Sequence, residues 1–278
     1  MSESNDGLKT PSLPSVPRAL DILHHVASSH NGLTLSQLTR CLGVPRSTMH
    51  CLLLTLEREG YVRRGAARGP YRSGPKLLDL SGKALAGSSL RAIGMPWLRS
   101  LMQRTGLTAH LAVLDRDQVT IIAQVAPAGL RLMTFLGQRL ELHCTALGKA
   151  IAAYLPDAQL SAMLGGRALL PHNDKTVSSQ RRFLAELAAT RERGYAIDDE
   201  EDAIGYRCLG ACVLDSARTP IAALSLFGTS QEIQMENAAT LAAELRRTAE
   251  RIAASFEDDG PVPIAPDADK AAREKAVS

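Results

Sequence analysis

The chain has 278 residues, enough for two ordinary domains, and its 45% hydrophobic and 22% charged content excludes a disordered or fibrous protein. Five cysteines, odd in number and without a CxxC pair, argue against a disulfide framework; with no signal-like opening and no apolar run of roughly 18–20 residues, a reduced, cytoplasmic protein without a membrane partner is expected. The net charge of +3 is uneven: residues 1–90 hold eleven Lys/Arg against six Asp/Glu, and between Arg40 and Arg72 seven arginines face only Glu57 and Glu59, as a polyanionic partner requires.

In chain order, residues 1–14 are polar and rich in Pro and Ser, and residues 257–278 are charged with little to bury, so both ends read as mobile tails. Ala19, Leu20, Ile22, Leu23 and Val26 recur at helical spacing between Val16 and Ser28, with Arg18 at the entrance. Thr34 and Gln37 have capping-box spacing, which starts a short second helix from about Leu35 to Leu42. Gly43 supplies a permissive turn, and Pro45 suits the first position of a third helix, where its missing N–H is no loss. That helix sets Met49, Leu52, Leu53 and Leu56 on one face and leaves Arg46, Ser47 and His50 off it. After Gly60, Tyr61–Arg64 and Tyr71–Ser73 read as two short strands around a basic, glycine-bearing loop. Lys76–Ala86 is helical and another helix is expected from near Pro96, which places a domain joint at residues 80–92.

From Thr108 the texture becomes β/α alternation: "AHLAVL", "VTIIAQV", "HCTALGKAIAAYL", a helix-rich insert, "CLGACVLD" and "PIAALSLFG", which suggests a mixed sheet packed by helices. A long helix from about Gln231 to Phe256, with Leu241, Leu245, Ala249, Ile252 and Phe256 on one stripe, closes the domain. Strand alternation groups Cys208, Gly210 and Cys212, and likewise Ala223, Ser225 and Phe227. Thr145 is placed to cap a helix and leave the amides of Ala146, Leu147 and Gly148 to an anion such as a carboxylate. The five acids of "DDEED", Asp198 to Asp202, read by pattern alone as a solvated turn.

A helix, a capped short helix, a tight turn, a third helix with a polar front and a basic hairpin make a winged helix-turn-helix. Its third helix would enter the major groove of double-stranded DNA with Arg46, Ser47, Thr48 and His50 at base edges, while Arg63, Arg64, Arg68 and Arg72 supply the salt-dependent grip on phosphates. Arg18 joins this DNA-facing set.

The succession "RALDIL", "LTLSQL", "LGVPRSTMHCLLLTLEREGYVRR", "ELHCTALGKAIAAYL", "RERGYAIDDEEDAIGYRCLGACVLD" and "PIAALSLFG", over roughly residues 16–256, resembles the IclR family of transcriptional regulators. The resemblance implies an α+β chain with a winged helix-turn-helix (residues 15–75), a linker helix (76–92) and a GAF-like α/β effector-binding domain (93–256). It also implies a homodimer or dimer of dimers on promoter DNA, repressing or activating, and control of the catabolism of a small organic acid that serves as effector. Carried over by position, the effector-lining residues are Leu132, Thr145, Ala146, Leu147, Asp198, Tyr206, Cys208, Ser225 and Phe227, with Asp198 accepting from a ligand hydroxyl and Cys208 and Ser225 donating. Similar proteins that sense very small oxo-acids have Gly-Ala where this chain has Ala146-Leu147 and a serine where it has Phe227. Bulkier walls imply a less polar pocket, for an aromatic or aliphatic acid.

An enzyme would need Cys208 or Cys144 brought together with His143 and a third, orienting residue, which no spacing indicates. "SGKA" and "ALGKA" lack the earlier glycine and the following Ser/Thr of a phosphate loop. His143, Cys144, Cys208 and Cys212 form only a weak metal signature, so neither a metal nor a cofactor is expected.

Overall fold

In the computed structural model, which describes residues 13–65, 69–130, 133–166 and 168–259, the chain divides into two units, residues 1–87 and 88–278. The first holds α1 (Ser15–Ala27), α2 (Leu35–Leu42) and α3 (Arg46–Arg58). The capping box of α2 is formed: Gln37 N donates to Thr34 Oγ1 at 3.3 Å, and Thr34 N to Gln37 Oε1 at 2.8 Å. Gly43 ends α2 in the left-handed region (φ 62°), which disfavours any residue with a Cβ. Pro45 is extended (ψ 141°) and stands just before the first turn of α3 instead of inside it.

Ile22 and Val26 of α1, Leu38 of α2, and Met49, Leu53 and Leu56 of α3 bury one core together with Val62 and Tyr71. The last two belong to an antiparallel hairpin, β1 (Val62–Arg64) and β2 (Tyr71–Ser73). Tyr71 also exchanges backbone hydrogen bonds with Leu33 (2.9 and 2.8 Å), stitching the hairpin to the segment before α2. Next comes α4 (Pro75–Ala86), which buries no residue and leaves Leu78 and Leu80 exposed.

The second unit begins with α5 (Ser89–Thr105), not near Pro96. Ser88 caps it by accepting from Arg91 N, and Pro96 sits mid-helix, a position worth roughly 3 kcal/mol against helix. Leu90 before it and Leu98 and Leu101 after it are buried in one core, and this tertiary packing carries the helix through.

Six strands follow: β3 (Thr108–Asp115), β4 (Gln118–Val125), β5 (Arg139–Glu141), β6 (Ala196–Asp199), β7 (Tyr206–Leu214) and β8 (Pro220–Thr229). They form one sheet in the order β5-β4-β3-β8-β7-β6, and every pairing is antiparallel. The expected mixed sheet is therefore corrected. The helical insert α6 (Ala146–Ala152), α7 (Asp157–Leu164) and α8 (Gln180–Arg193) carries the chain from one edge strand to the other, so it need not produce a parallel neighbour. On one sheet face, Leu98 and Leu101 of α5 and Leu245 and Ile252 of α9 (Met235–Asp259) meet Leu111, Leu209, Leu224 and Leu226. On the other, Leu147 and Ile151 of α6 and Phe183 and Leu187 of α8 meet Ala112, Ile121 and Ala223. The segments read as tails lie largely outside the described residues. No helix among the described residues is long and apolar enough to cross a membrane.

Candidate functional site

Because Met49, Leu53 and Leu56 hold α3 by one side, its first turn faces outward. Arg46, Ser47 and His50 are exposed and line one groove with Ser36, Arg64 and Gly69, while Thr48 is half-buried. Arg46 Nη1 donates to Ser36 Oγ at 3.3 Å across the helix turn. In the hairpin, exposed Arg63 and Arg72 are direct cross-strand partners, an arrangement in which like charges repel. Arg64 behaves differently: its guanidinium lies over the Tyr71 ring at 4.6 Å. Among the described residues no carboxylate pairs with Arg46, Arg63, Arg64 or Arg72, so an external anion is free to neutralise them. Arg18 is exposed on α1, and Arg68 lies outside the described residues.

Strand register lays the floor of a cavity in the second unit. Asp198, Cys208 and Phe227 are successive partners across β6, β7 and β8, and Gly210, Ser225 and His110 form the adjacent row across β7, β8 and β3. Residues two apart on a strand share a face, so both rows point the same way. A Cβ built on Gly210 would come within 2.2 Å of the Ala146 carbonyl oxygen; the glycine lets the start of α6 lie directly on the sheet. Thr145 caps α6, its Oγ1 accepting from Gly148 N (3.1 Å) and donating to Glu141 O (2.7 Å). The Gly148 amide is therefore not available to an anion, contrary to expectation. About 40 Å³ remains for the centre of a water-sized group, walled by Ile121, Leu140, Leu147, Tyr206 and Phe227, the last two stacked at 5.2 Å.

The polar groups of this cavity are set by burial. His110 Nδ1 lies 3.1 Å from Ser225 Oγ and Nε2 2.9 Å from Thr134 Oγ1, and desolvation pushes the ring's pKa down to about 4, leaving it neutral at pH 7. Desolvation pushes the Asp198 carboxyl up to about 7, against amide hydrogen bonds from Glu201 (2.8 Å) and Asp202 (3.3 Å) and the attraction of Lys149. The same burial raises Cys208, with the Asp198 and Asp202 charges adding to it, and keeps it a thiol. Lys149 is wholly buried, donating to Ile197 O at 2.8 Å and pairing with Glu201, so it is not a phosphate-loop lysine. No Lys or Arg is among the cavity's described lining residues.

Residues 15–66 match the IclR helix-turn-helix domain, and residues 82–254 match the C-terminal domain of the bacterial transcriptional regulator IclR. The chain belongs to the IclR family. It is 34% identical over 250 residues to the transcriptional repressor IclR of Escherichia coli, covering 89% of this chain and 91% of that one. The crystal structure of the Thermotoga maritima IclR superposes with a TM-score of 0.70 at 28% identity, over 87% of this chain and 98% of the other. An IclR homologue from Microbacterium hydrocarbonoxydans, complexed with 4-hydroxybenzoate, shares the fold (TM-score 0.74, 22% identity, 88% and 99% coverage). The IclR family comprises transcriptional regulators, not enzymes, and this member is a DNA-binding regulator with a C-terminal effector-binding domain.

Of the residues assigned to the effector from sequence, Thr145, Ala146, Leu147, Asp198, Tyr206, Cys208, Ser225 and Phe227 all line this one cavity; Leu132 lies outside the described residues. Cys212 and Gly210, grouped with Cys208 by alternation, do not line it: Cys212 Sγ donates to Ala222 O at 3.5 Å, and Gly210 lies beneath Ala146. Sequence reasoning missed His110, Thr134 and Asp202, which also line it. His110 sits in a β-alternating run, but the β3–β8 register that brings it opposite Ser225 joins positions 115 residues apart.

Proposed function

We propose that this regulator senses a small, largely apolar organic acid in the β6–β7–β8 cavity, and that the acid alters its grip on promoter DNA in the cytoplasm. The observation that carries the reading is the convergence of a protonatable Asp198, neutral His110 and the Ser225 and Cys208 hydrogen donors within an apolar wall whose described residues include no cation. A carboxylate entering such a site is met by hydrogen-bond donors, and Asp198 in its protonated form is the strongest of them. Ile121, Leu140, Leu147 and Phe227 favour an aliphatic or aromatic remainder. The remaining space holds only a few water-sized groups, so a ring the size of 4-hydroxybenzoate, the ligand of the Microbacterium homologue, enters only if Phe227 and Tyr206 swing aside.

Arg46, Ser47, Thr48 and His50 read base edges, and Arg18, Arg63, Arg64, Arg68 and Arg72 hold phosphates; the unpaired, mutually repelling Arg63 and Arg72 support this division. Leu78 and Leu80 on α4, with Val16 and Leu20 on α1, are exposed apolar surface that suits a homodimer or dimer of dimers. A thermal-shift screen of organic acids followed by calorimetry tests the ligand class. Stabilisation by aliphatic or aromatic acids is expected, and tight binding of two- or three-carbon oxo-acids alone would overturn it.

A further inference from the structure

Beside the cavity, just before α6, Glu141, His143 and Cys144 meet His172 of the α7–α8 connection. Glu141 Oε2 lies 3.4 Å from His143 Nδ1, 3.3 Å from His172 Nε2 and 3.9 Å from Cys144 Sγ, which is itself 4.0 Å from His172 Nε2. The far nitrogens of both rings are occupied by acceptors. His143 Nε2 faces the Leu170 carbonyl at 3.0 Å, and His172 Nδ1 faces Asp202 Oδ1 at 2.9 Å. A carbonyl and a carboxylate can only accept, so those nitrogens carry ring protons and leave the inward nitrogens as the ligand positions. Around Glu141 Oε2 these two nitrogens meet the Cys144 thiol, whose S–H donates to it. Loss of the thiol proton leaves a thiolate and two imidazoles around one carboxylate oxygen, a metal-binding set.

We propose that Glu141, His143, Cys144 and His172 bind a divalent transition-metal ion of the zinc class. Zinc bonds of about 2.0–2.1 Å to N or O and about 2.3 Å to S at tetrahedral angles separate ligand atoms by roughly 3.3–3.6 Å. Here the contacts of Glu141 with His143, His172 and Cys144, and of Cys144 with His172, span 3.3–4.0 Å, and the ligand atoms of Glu141, His143 and Cys144 all lie within 4.8 Å of one another. The Asp202–His172 and Leu170–His143 contacts are the outer hydrogen bonds that orient metal-bound histidines. Binding releases the Cys144 thiol proton to solvent, since the thiolate is the ligand. The His172 and Asp202 side chains are 34% and 40% exposed, which gives the ion a way in, whereas His143 and Cys144 are buried. Asp202 also lines the effector cavity, and the ligand run 141–144 continues directly into Thr145, so the ion would fix one wall of that cavity. Sequence spacing hides the site because His172 lies 28 residues beyond Cys144.

The test is a cobalt(II) titration of the full chain after chelator treatment and dialysis, followed by absorbance, with zinc competition. One equivalent is expected, with a thiolate-to-cobalt charge-transfer band that zinc abolishes. Cys144→Ser should lose that band with Cys41 and Cys51 intact, and Asp202→Asn should weaken affinity about 10–100-fold. The exposed His172→Phe, which poses little risk to folding, should weaken it at least as much. Absence of stoichiometric binding, or binding that is indifferent to His172→Phe and Cys144→Ser, overturns the proposal. None of these readouts uses an effector, so its failure is separable from failure of the acid-sensing reading.

Discussion

Asp198 and His110 face one cavity with pKa values pushed in opposite directions by the same cause, removal from water. The folded Asp198 value near 7 lies above the ordinary 3.8, so between those pH values the folded chain holds a proton that the unfolded chain releases. Its contribution makes stability fall as pH rises from about 4 to 7, with the full cost present above 7. Asp198→Asn should therefore stabilise the protein more at pH 8 than at pH 5 in urea unfolding; equal shifts at both pH values would contradict the burial argument. The same proton bears on function. If protonated Asp198 donates to an acid, effector affinity measured by calorimetry should drop by up to about tenfold per pH unit above 7 and stay nearly level below 6; a pH-independent affinity would assign the carboxylate to other donors.

At the scale of elements, close approach of α6 to β7 rests on one residue. Gly210→Ala puts a methyl group on the Ala146 carbonyl and should cost about 1–3 kcal/mol, read as a lowered midpoint in thermal or urea unfolding. In the hairpin, replacing Arg63 and Arg72 by alanine should reduce the slope of log affinity against log salt by roughly two for any DNA sequence, while Arg46→Ala should cost about 1–3 kcal/mol mainly on the preferred sequence. Loss confined to one sequence for the hairpin pair would reverse those roles. These local features were readable in advance because their causes are local: the Thr34–Gln37 cap, the Gly43 turn and the α3 periodicity lie within a few residues of one another. Pro96 misled because packing of Leu98 and Leu101 outweighs a local preference, and sheet direction misled because an antiparallel order depends on where the long insert returns. His110 escaped for the same reason, since only the long-range β3–β8 register brings it to the cavity.

At the scale of the molecule, one unit carries an exposed basic face and the other a largely apolar cavity with a few polar groups, joined in the chain at Gly87–Ser88. Such a regulator works only if the effector binds two states of the protein unequally, and the linkage must then be reciprocal. The measurement that bears most directly on this is fluorescence-anisotropy titration of the full chain against DNA from its own upstream region, with and without an acid that raises its melting temperature. A salt-dependent affinity is expected that the acid shifts by about 5–150-fold, with DNA shifting the acid's affinity by the same factor. An acid that binds the cavity and leaves DNA affinity unchanged would contradict it.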